Sequence, residues 1–265
     1  MSRVYFKKTD NRREFVLKTL QLFEKQLEDR NSFLIKPNIV SYEEYPTTTH
    51  PEVLDAVLTF LSGRDMVVAD GPAPDAGNSQ RVVEQSPLKK VCDSHGVPLI
   101  NLYTTNTRKF VTPRGYRFKI FALPLERDFV ISLPVLKVHS GCQMTGALKN
   151  QFGYLTRRER FLMHLDFKDI NRGIAEINAV AKPGLFIVDA VQTLIDAQEL
   201  RHGGRLRDLG YMLVGTDPVS LDSFGLKLLQ QVEPKLRDKS PEGIPHIKYA
   251  SQYNIGELEF EAMEI

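Results

Sequence analysis

The chain has 265 residues, 42% of them apolar and 26% charged, which is the balance of an ordinary folded domain and excludes a disordered chain. Thirty-five Lys and Arg against 33 Asp and Glu leave a formal net charge of +2, so no global pull toward nucleic acid or a membrane surface is expected. No apolar run reaches the roughly 18 residues of a membrane span, and the opening MSRVYFKKTDNRREF lacks the apolar core of a secretory signal; the expected compartment is the cytoplasm.

Arg3 to Lys7 reads as a first strand. Asp10 or Asn11 then caps a helix whose Val16, Leu20, Phe23 and Leu27 repeat on one apolar face. Ser32 to Ile35 forms a short buried strand ending in Lys36-Pro37-Asn38. Pro51 suits the first position of a helix through Leu61, with Thr49 or His50 as cap. Met66 to Ala69 makes a third strand, ending in the turn Asp70-Gly71-Pro72. A helix near Ser79 to His95 ends at Gly96 and is broken or kinked by Pro87. Pro98 to Leu102 is the next strand.

Lys109 to Val111 and Tyr116 to Ile120 flank Thr-Pro-Arg-Gly, a hairpin signature that makes residues 103–126 an insertion or sheet extension. Phe129 to Leu133, Leu185 to Val188 and Tyr211 to Gly215 supply further strands, and helices cover Lys168 to Val180 and Val219 to Gln231. This alternation predicts one α/β domain over residues 1–265, with a mainly parallel sheet, helices on both faces and a small antiparallel hairpin insertion. The alternating ELEFEAMEI at the C-terminal end fits either an edge strand of the same domain or pairing with a second copy, so an oligomer is left open.

Polar groups collect where these strands end. Lys36 and Asn38 follow one strand, Asp70 a second, Lys137 and His139 a third, Asp189 a fourth and Asp217 a fifth. Open α/β sheets bind ligands beyond the carboxyl ends of their strands, so the group defines a candidate site. Local chemistry offers competing roles: Asp70-Gly71-Pro72 is a good turn, Asp189 can cap the segment after it, and Asp217-Pro218 is an ordinary helix start for which the cap is the better reading. Asp222, one turn further on, suits support of that helix's own first turn.

The densest stretch is ISLPVLKVHSGCQMTGALKNQFG, residues 131–153. A strand is followed by Lys137 and His139, then by a short helix that Thr145 caps and that carries Lys149 and Asn150 before stopping at Gly153. Its first amides favour an anion, and a desolvated lysine can serve as anion holder or base. Arg157, Arg158 and Arg160 read better as a solvated helix face than as an extension of the anion site or a phosphate-reading edge, and His202-Gly203-Gly204-Arg205 as a mobile glycine loop near the site. His139, His164, Asp70 and Asp189 together would suit a divalent metal such as zinc, manganese or iron, although no HxH or HxxxH spacing fixes such a site. No P-loop, no G-x-G-x-x-G after the first strand and no G-x-S-x-G elbow occurs, which speaks against nucleotide and serine-hydrolase chemistry.

Several blocks in order also resemble a known family. They are LIKPNIV (34–40), TTTHPEVLDAV (47–57), VVADGPAP (67–74), VISLPVLKVH (130–139), TGALKNQFG (145–153), FLMH (161–164), LFIVDAV (185–191) and VGTDPVSLDSFG (214–225). The chain is similar to the DUF362 family, a domain of unknown function often found in iron–sulfur proteins. The resemblance implies an α/β domain with a shared polar site that includes Asp70, Asp189 and the Lys149-Asn150-x-Phe152-Gly153 block, and it implies no reaction. An iron–sulfur cluster is not expected: Cys92 and Cys142 are the only cysteines, and the ferredoxin spacing is absent.

The sequence therefore predicts an enzyme that acts on a small carboxylate or phosphate by acid/base chemistry, with or without a divalent metal. Lys36, Lys137 and Lys149 would hold the anion and His139 would move a proton, oriented by Asp70 or Asp189. Asn38 or Asn150 would steady a developing oxyanion. A non-catalytic ligand-binding or assembly protein, or an iron–sulfur-associated redox protein, is the alternative. A small-molecule anion is the expected partner, with neither nucleic acid nor membrane.

Overall fold

The computed structural model describes all 265 residues. Strand β1 (Ser2–Lys8) leads into α1 (Arg12–Leu22), which Asn11 caps by accepting a hydrogen bond from the Glu14 amide at 3.1 Å. A short α2 (Glu24–Glu28) continues the expected apolar face after a break at Phe23. Then follow β2 (Ser32–Pro37), α3 (Pro51–Phe60) and β3 (Asp65–Asp70). The helix expected over 79–95 is two helices, α4 (Ser79–Gln85) and α5 (Pro87–Ser94), because Ser86 leaves helical geometry to cap the second and Pro87 takes its first position. Next come β4 (Leu99–Asn101), the hairpin β5 (Thr107–Val111) and β6 (Arg117–Phe121), and β7 (Phe129–Leu133).

Beyond β7 lies a second small ribbon, β8 (Lys137–His139) and β9 (Gln143–Thr145), followed by the single turn α6 (Ala147–Asn150), α7 (Arg157–His164) and α8 (Ile170–Val180). The chain closes with β10 (Leu185–Ile195), β11 (Arg205–Gly215), α9 (Pro218–Leu229), α10 (Pro245–Gln252) and β12 (Phe260–Glu264). Strands β10 and β11 run well past the expected ends. Polar Asp189, Gln192 and Thr193 interrupt the apolar run that marks the strand, but the ladder from Gln192 to Ile195 against Asp208 to Arg205 continues beyond a bulge.

The main sheet has the order β12-β1-β11-β10-β7-β2-β3-β4. Strands β10, β7, β2, β3 and β4 are mutually parallel, and β11 alone runs against the other seven. From β2 the chain steps outward through β3 to β4, then returns to place β7 on the other side of β2. The strand order reverses between β2 and β7, which makes their carboxyl ends the topological switch point. The hairpin β5–β6 forms its own two-stranded sheet rather than extending the large one. The C-terminal alternation is an edge strand of this same sheet, paired in parallel with β1.

Alternate residues of β2 feed two cores. Phe33 and Ile35 pack with Phe15, Leu20, Leu54, Val57 and Leu88 under α1, α3 and α5. Leu34 belongs to the opposite face with Ile174, Ile177, Leu226 and Ile247 under α8, α9 and α10. That period of two is strand geometry, and it leaves both faces covered. No helix is long and apolar enough to cross a membrane.

Candidate functional site

Strands β2, β3 and β7 deliver their ends to one cavity of about 320 Å³. It is lined by eight of the residues singled out in the sequence: Lys36, Asn38, Asp70, Lys137, His139, Lys149, Asn150 and His164. Asp189 and Asp217 are not among its lining. Asp189 sits within β10 and is spent on a separate buried ion pair, with Arg12 Nε at 2.7 Å and Tyr45 Oη donating to it at 2.7 Å. Asp217 follows the one reversed strand and therefore lies at the opposite end of the sheet. There it caps α9 through the Val219 and Ser220 amides, at 2.8 and 3.1 Å, and accepts from Ser2 Oγ at 2.6 Å.

At the floor, Lys36 and Asp70 are spent on each other. Their Nζ–Oδ1 distance is 2.7 Å with both side chains buried, and Asp70 also accepts from the Ile39 and Gly71 amides at 2.6 and 2.7 Å. Lys36 donates further to the Pro37 carbonyl at 2.7 Å, and burial outweighs Asp70 in lowering its pKa. Gly153 lies directly over this pair: a Cβ there would run into Asp70 Oδ1 and stand 2.8 Å from Lys36 Nζ. The end of the KNQFG block is thus glycine because it roofs a buried ion pair.

The ribbon β8–β9 explains the placement of the next two groups. Strand alternation sends Lys137 and His139 to one side and Val138 to the other, into the core. Lys137 Nζ donates to the Thr47 and Pro46 carbonyls at 2.6 and 3.4 Å but has no carboxylate partner, and burial pulls its pKa down to about 7. His139 Nδ1 accepts from the Gly141 and Cys142 amides at 3.0 and 3.3 Å. Two fixed donors at Nδ1 put the ring proton on Nε2, and burial, then Lys149, holds the imidazole neutral with its pKa well below the usual range. His139 therefore offers a donor N–H, with its other lone pair already taken. The His164 ring stacks beside it, centroids 6.4 Å apart and 7° from parallel, at the exposed rim.

Lys149 differs from the other lysines. It is buried, its Nζ lies 4.0 Å from the centroid of the Phe152 ring, and it donates to no protein oxygen and pairs with no carboxylate. Burial, with a smaller contribution from Arg160 and Lys36, lowers its pKa to about 8. Asn150 beside it is committed: Nδ2 donates to Ser132 Oγ at 2.9 Å and to the Lys36 carbonyl at 3.3 Å, so it can present only its amide oxygen to a ligand. Asn38 retains an Nδ2 without any protein acceptor.

The helix carrying Lys149 does not start as the sequence suggests. Thr145 does not cap it; Gly146 occupies that position, and its first amides are not open to a ligand. The buried Asp222 carboxylate takes them, with Oδ1 2.6 Å from the Ala147 amide and Oδ2 3.1 Å from that of Leu148. A Cβ at Gly146 would collide with Asp222 Oδ1, so glycine is required for that approach. Asp222 thus supports a helix other than its own.

Tertiary packing overturns the reading of Arg160 as part of a solvated face. Arg157 and Arg158 are exposed as expected, whereas Arg160 is buried and clamps four carbonyls, those of Gly71, Pro72, Gly153 and Leu155, at 2.6–3.1 Å. The signal present in the sequence is its position three residues before buried Met163 on the same helix face. The glycine loop does reach the rim, where Gln198, Glu199 and His202 line the cavity. It is tied down there: Glu43 accepts from the Leu200 and Arg201 amides at 2.8 and 2.7 Å, and Arg201 bridges Glu199 and Asp75.

The four expected metal ligands do not converge, since Asp189 is elsewhere, Asp70 is saturated and His139 Nδ1 is engaged. Three other groups, Asp75, Glu199 and His202, bring candidate ligand atoms within 4.8 Å of one another, with the Arg201 guanidinium already bonded to both carboxylates. Cys92 and Cys142 are buried and free in different cores, so they provide no pair of thiolates.

The fold and site together define an α/β protein with a cleft at its topological switch point that sets buried cations around a small cavity. The chain belongs to the DUF362 family, a domain of unknown function, which matches residues 33–227. It is 25% identical over 211 residues to a thylakoid-associated protein of Synechocystis sp., covering 76% of this chain and 63% of that one. Among solved structures it is similar to the lactate racemase apoprotein from Thermoanaerobacterium thermosaccharolyticum, with a TM-score of 0.55, 11% identity, and coverage of 88% of this chain and 58% of that one. A protein from Thermotoga maritima gives a TM-score of 0.47 at 12% identity, over 91% of this chain and 59% of that one. The chain thus spans less than two thirds of the length of each of these relatives.

Proposed function

We propose that the cleft binds a small anionic metabolite, a carboxylate or phosphate, and transfers a proton on it. One observation carries this reading: Lys149 is a buried ammonium facing the cavity with neither a carboxylate nor a carbonyl to compensate it. Buried charges are ordinarily paired, so an unpaired one beside a cavity is a charge awaiting its partner. Lys137 adds a second buried lysine without a carboxylate. In this reading the anion docks on Lys149, and the fixed Nε2–H of His139 donates to the oxygen on which charge develops. A lysine whose pKa has fallen to about 7 is available as the amine base near neutral pH, which fits Lys137 for that role while Lys149 holds the anion. The solved lactate racemase, whose fold is similar, acts on a small carboxylate, which agrees with this class of ligand.

The test does not depend on knowing the reaction. Small carboxylates and phosphates are screened by thermal shift, and each ligand found is incubated with the protein in D2O while its carbon-bound protons are followed by NMR. Exchange that disappears in Lys149→Met and His139→Gln supports proton transfer. Binding without exchange of any proton reduces the cleft to a binding site, and no stabilisation by any anion defeats the reading.

A further inference from the structure

We infer that the anion selected by the cleft is a monocarboxylate bearing a small apolar substituent, and that phosphate groups are turned away. This rests on the proposed anion-binding reading and narrows it. Proteins hold phosphate with a helix N-terminus, a guanidinium fork or a set of lysine charges around three oxygens. The helix start and the guanidinium near the cleft are already occupied by the protein itself, and so is one of its three lysines.

The amides at the start of α6 are filled by the Asp222 carboxylate at 2.6 and 3.1 Å. The Arg160 guanidinium is shared among the carbonyls of Gly71, Pro72, Gly153 and Leu155 and has no N–H pair left for a fork. Lys36 is bound to Asp70 and the Pro37 carbonyl. The donors that remain are the Lys149 ammonium, the single Nε2–H of His139, Nδ2 of Asn38 and what Lys137 retains after bonding Thr47 and Pro46. Lys149 is the one lysine of the set that bonds no protein oxygen, and one such charge suits a single carboxylate. A phosphate dianion brings a third oxygen and a second charge, and the other cavity lysine without a carboxylate, Lys137, already donates to the Thr47 and Pro46 carbonyls.

The character of the substituent is set by the apolar part of the lining. Ile39, Val40, Ala73 and Pro74 line the cavity, and the Ala73 amide bonds the Val40 carbonyl at 2.8 Å, which joins the two segments into one apolar surface. Phe161 adds a half-exposed ring at the mouth. A ligand with its carboxylate on Lys149 can meet this apolar surface with its remaining atoms.

Calorimetric titration of the full chain at about pH 7.5 with isobutyrate and with methyl phosphate, which are similar in size, tests the inference. Isobutyrate is expected to bind at least about tenfold more tightly than methyl phosphate, and Lys149→Met, with an unchanged or raised Tm, is expected to abolish its binding. Equal or tighter binding of methyl phosphate overturns the preference while leaving the anion site standing. Binding of neither probe at tens of millimolar overturns the preference and the underlying reading together. Isobutyrate binding that survives in Lys149→Met also overturns the inference, because it would place the carboxylate elsewhere.

Discussion

Replacing Asp70 by Asn separates residues that build the cleft from residues that face a ligand. The substitution leaves Lys36 as a buried ammonium without a counter-charge and turns an NH2 toward one of the three donors, Ile39 N–H, Gly71 N–H and Lys36 Nζ, that the carboxylate now satisfies. Removing one partner of a buried pair costs about 3–5 kcal/mol, and one further unsatisfied amide adds about 1–3 kcal/mol. The expected loss is therefore about 4–8 kcal/mol, or a fall in Tm on the order of 10–20 °C for a chain of this size. Equilibrium urea unfolding followed by far-ultraviolet circular dichroism measures it, with the slope checked for constancy. The double variant Lys36→Met/Asp70→Leu should recover most of the loss, because two well-packed apolar groups replace the pair. A loss below about 1 kcal/mol in Asp70→Asn would refute the reasoning. It would mean that the depressed Lys36 is already a neutral amine in the folded protein and that no ion pair exists to break.

Two further substitutions probe the same architecture. Gly153→Ala drives a methyl group into Asp70 and Lys36, and overpacking of a saturated site costs about 1–3 kcal/mol; the same urea experiment reads it, and a neutral result would show that the roof can lift. Asp222 carries a pH dependence: burial raises its carboxyl from 3.8 to about 7, so the folded state prefers the protonated form. Its contribution to stability is intact below about pH 4 and is lost as the pH rises through about 7, on the order of 4 kcal/mol in all. Asp222→Asn, which cannot ionise but turns an NH2 toward one of the two amides, should lie about 1–3 kcal/mol below the parent near about pH 4 and close or reverse that gap by about pH 8. Parallel stability curves for the two proteins over that range would show that Asp222 does not titrate in the folded state.

The elements and the neighbourhood of the cleft are legible in the order of the amino acids, because both rest on local properties. These are the Asn11 and Asp217 caps, the break at Pro87, the period of two in β2, and the polar residues set just past the apolar runs of β2, β3 and β7. The short stretch from Lys137 to Gly153 stands out because its charge, histidine and glycines sit too close together for either core or linker. Which charges remain free is settled by packing, because a charge chooses its partner through space. Asp189 finds Arg12 across 177 residues of chain, Asp222 reaches back 75 residues to α6, and Lys36 meets Asp70 only because β2 and β3 are adjacent. The reversal of β11, which carries Asp217 to the far end of the sheet, is likewise a matter of pairing direction that no local pattern encodes. Burial then acts on the groups that are left, and a lysine that reads in sequence like any other becomes the one ammonium in the cavity that the protein itself does not answer.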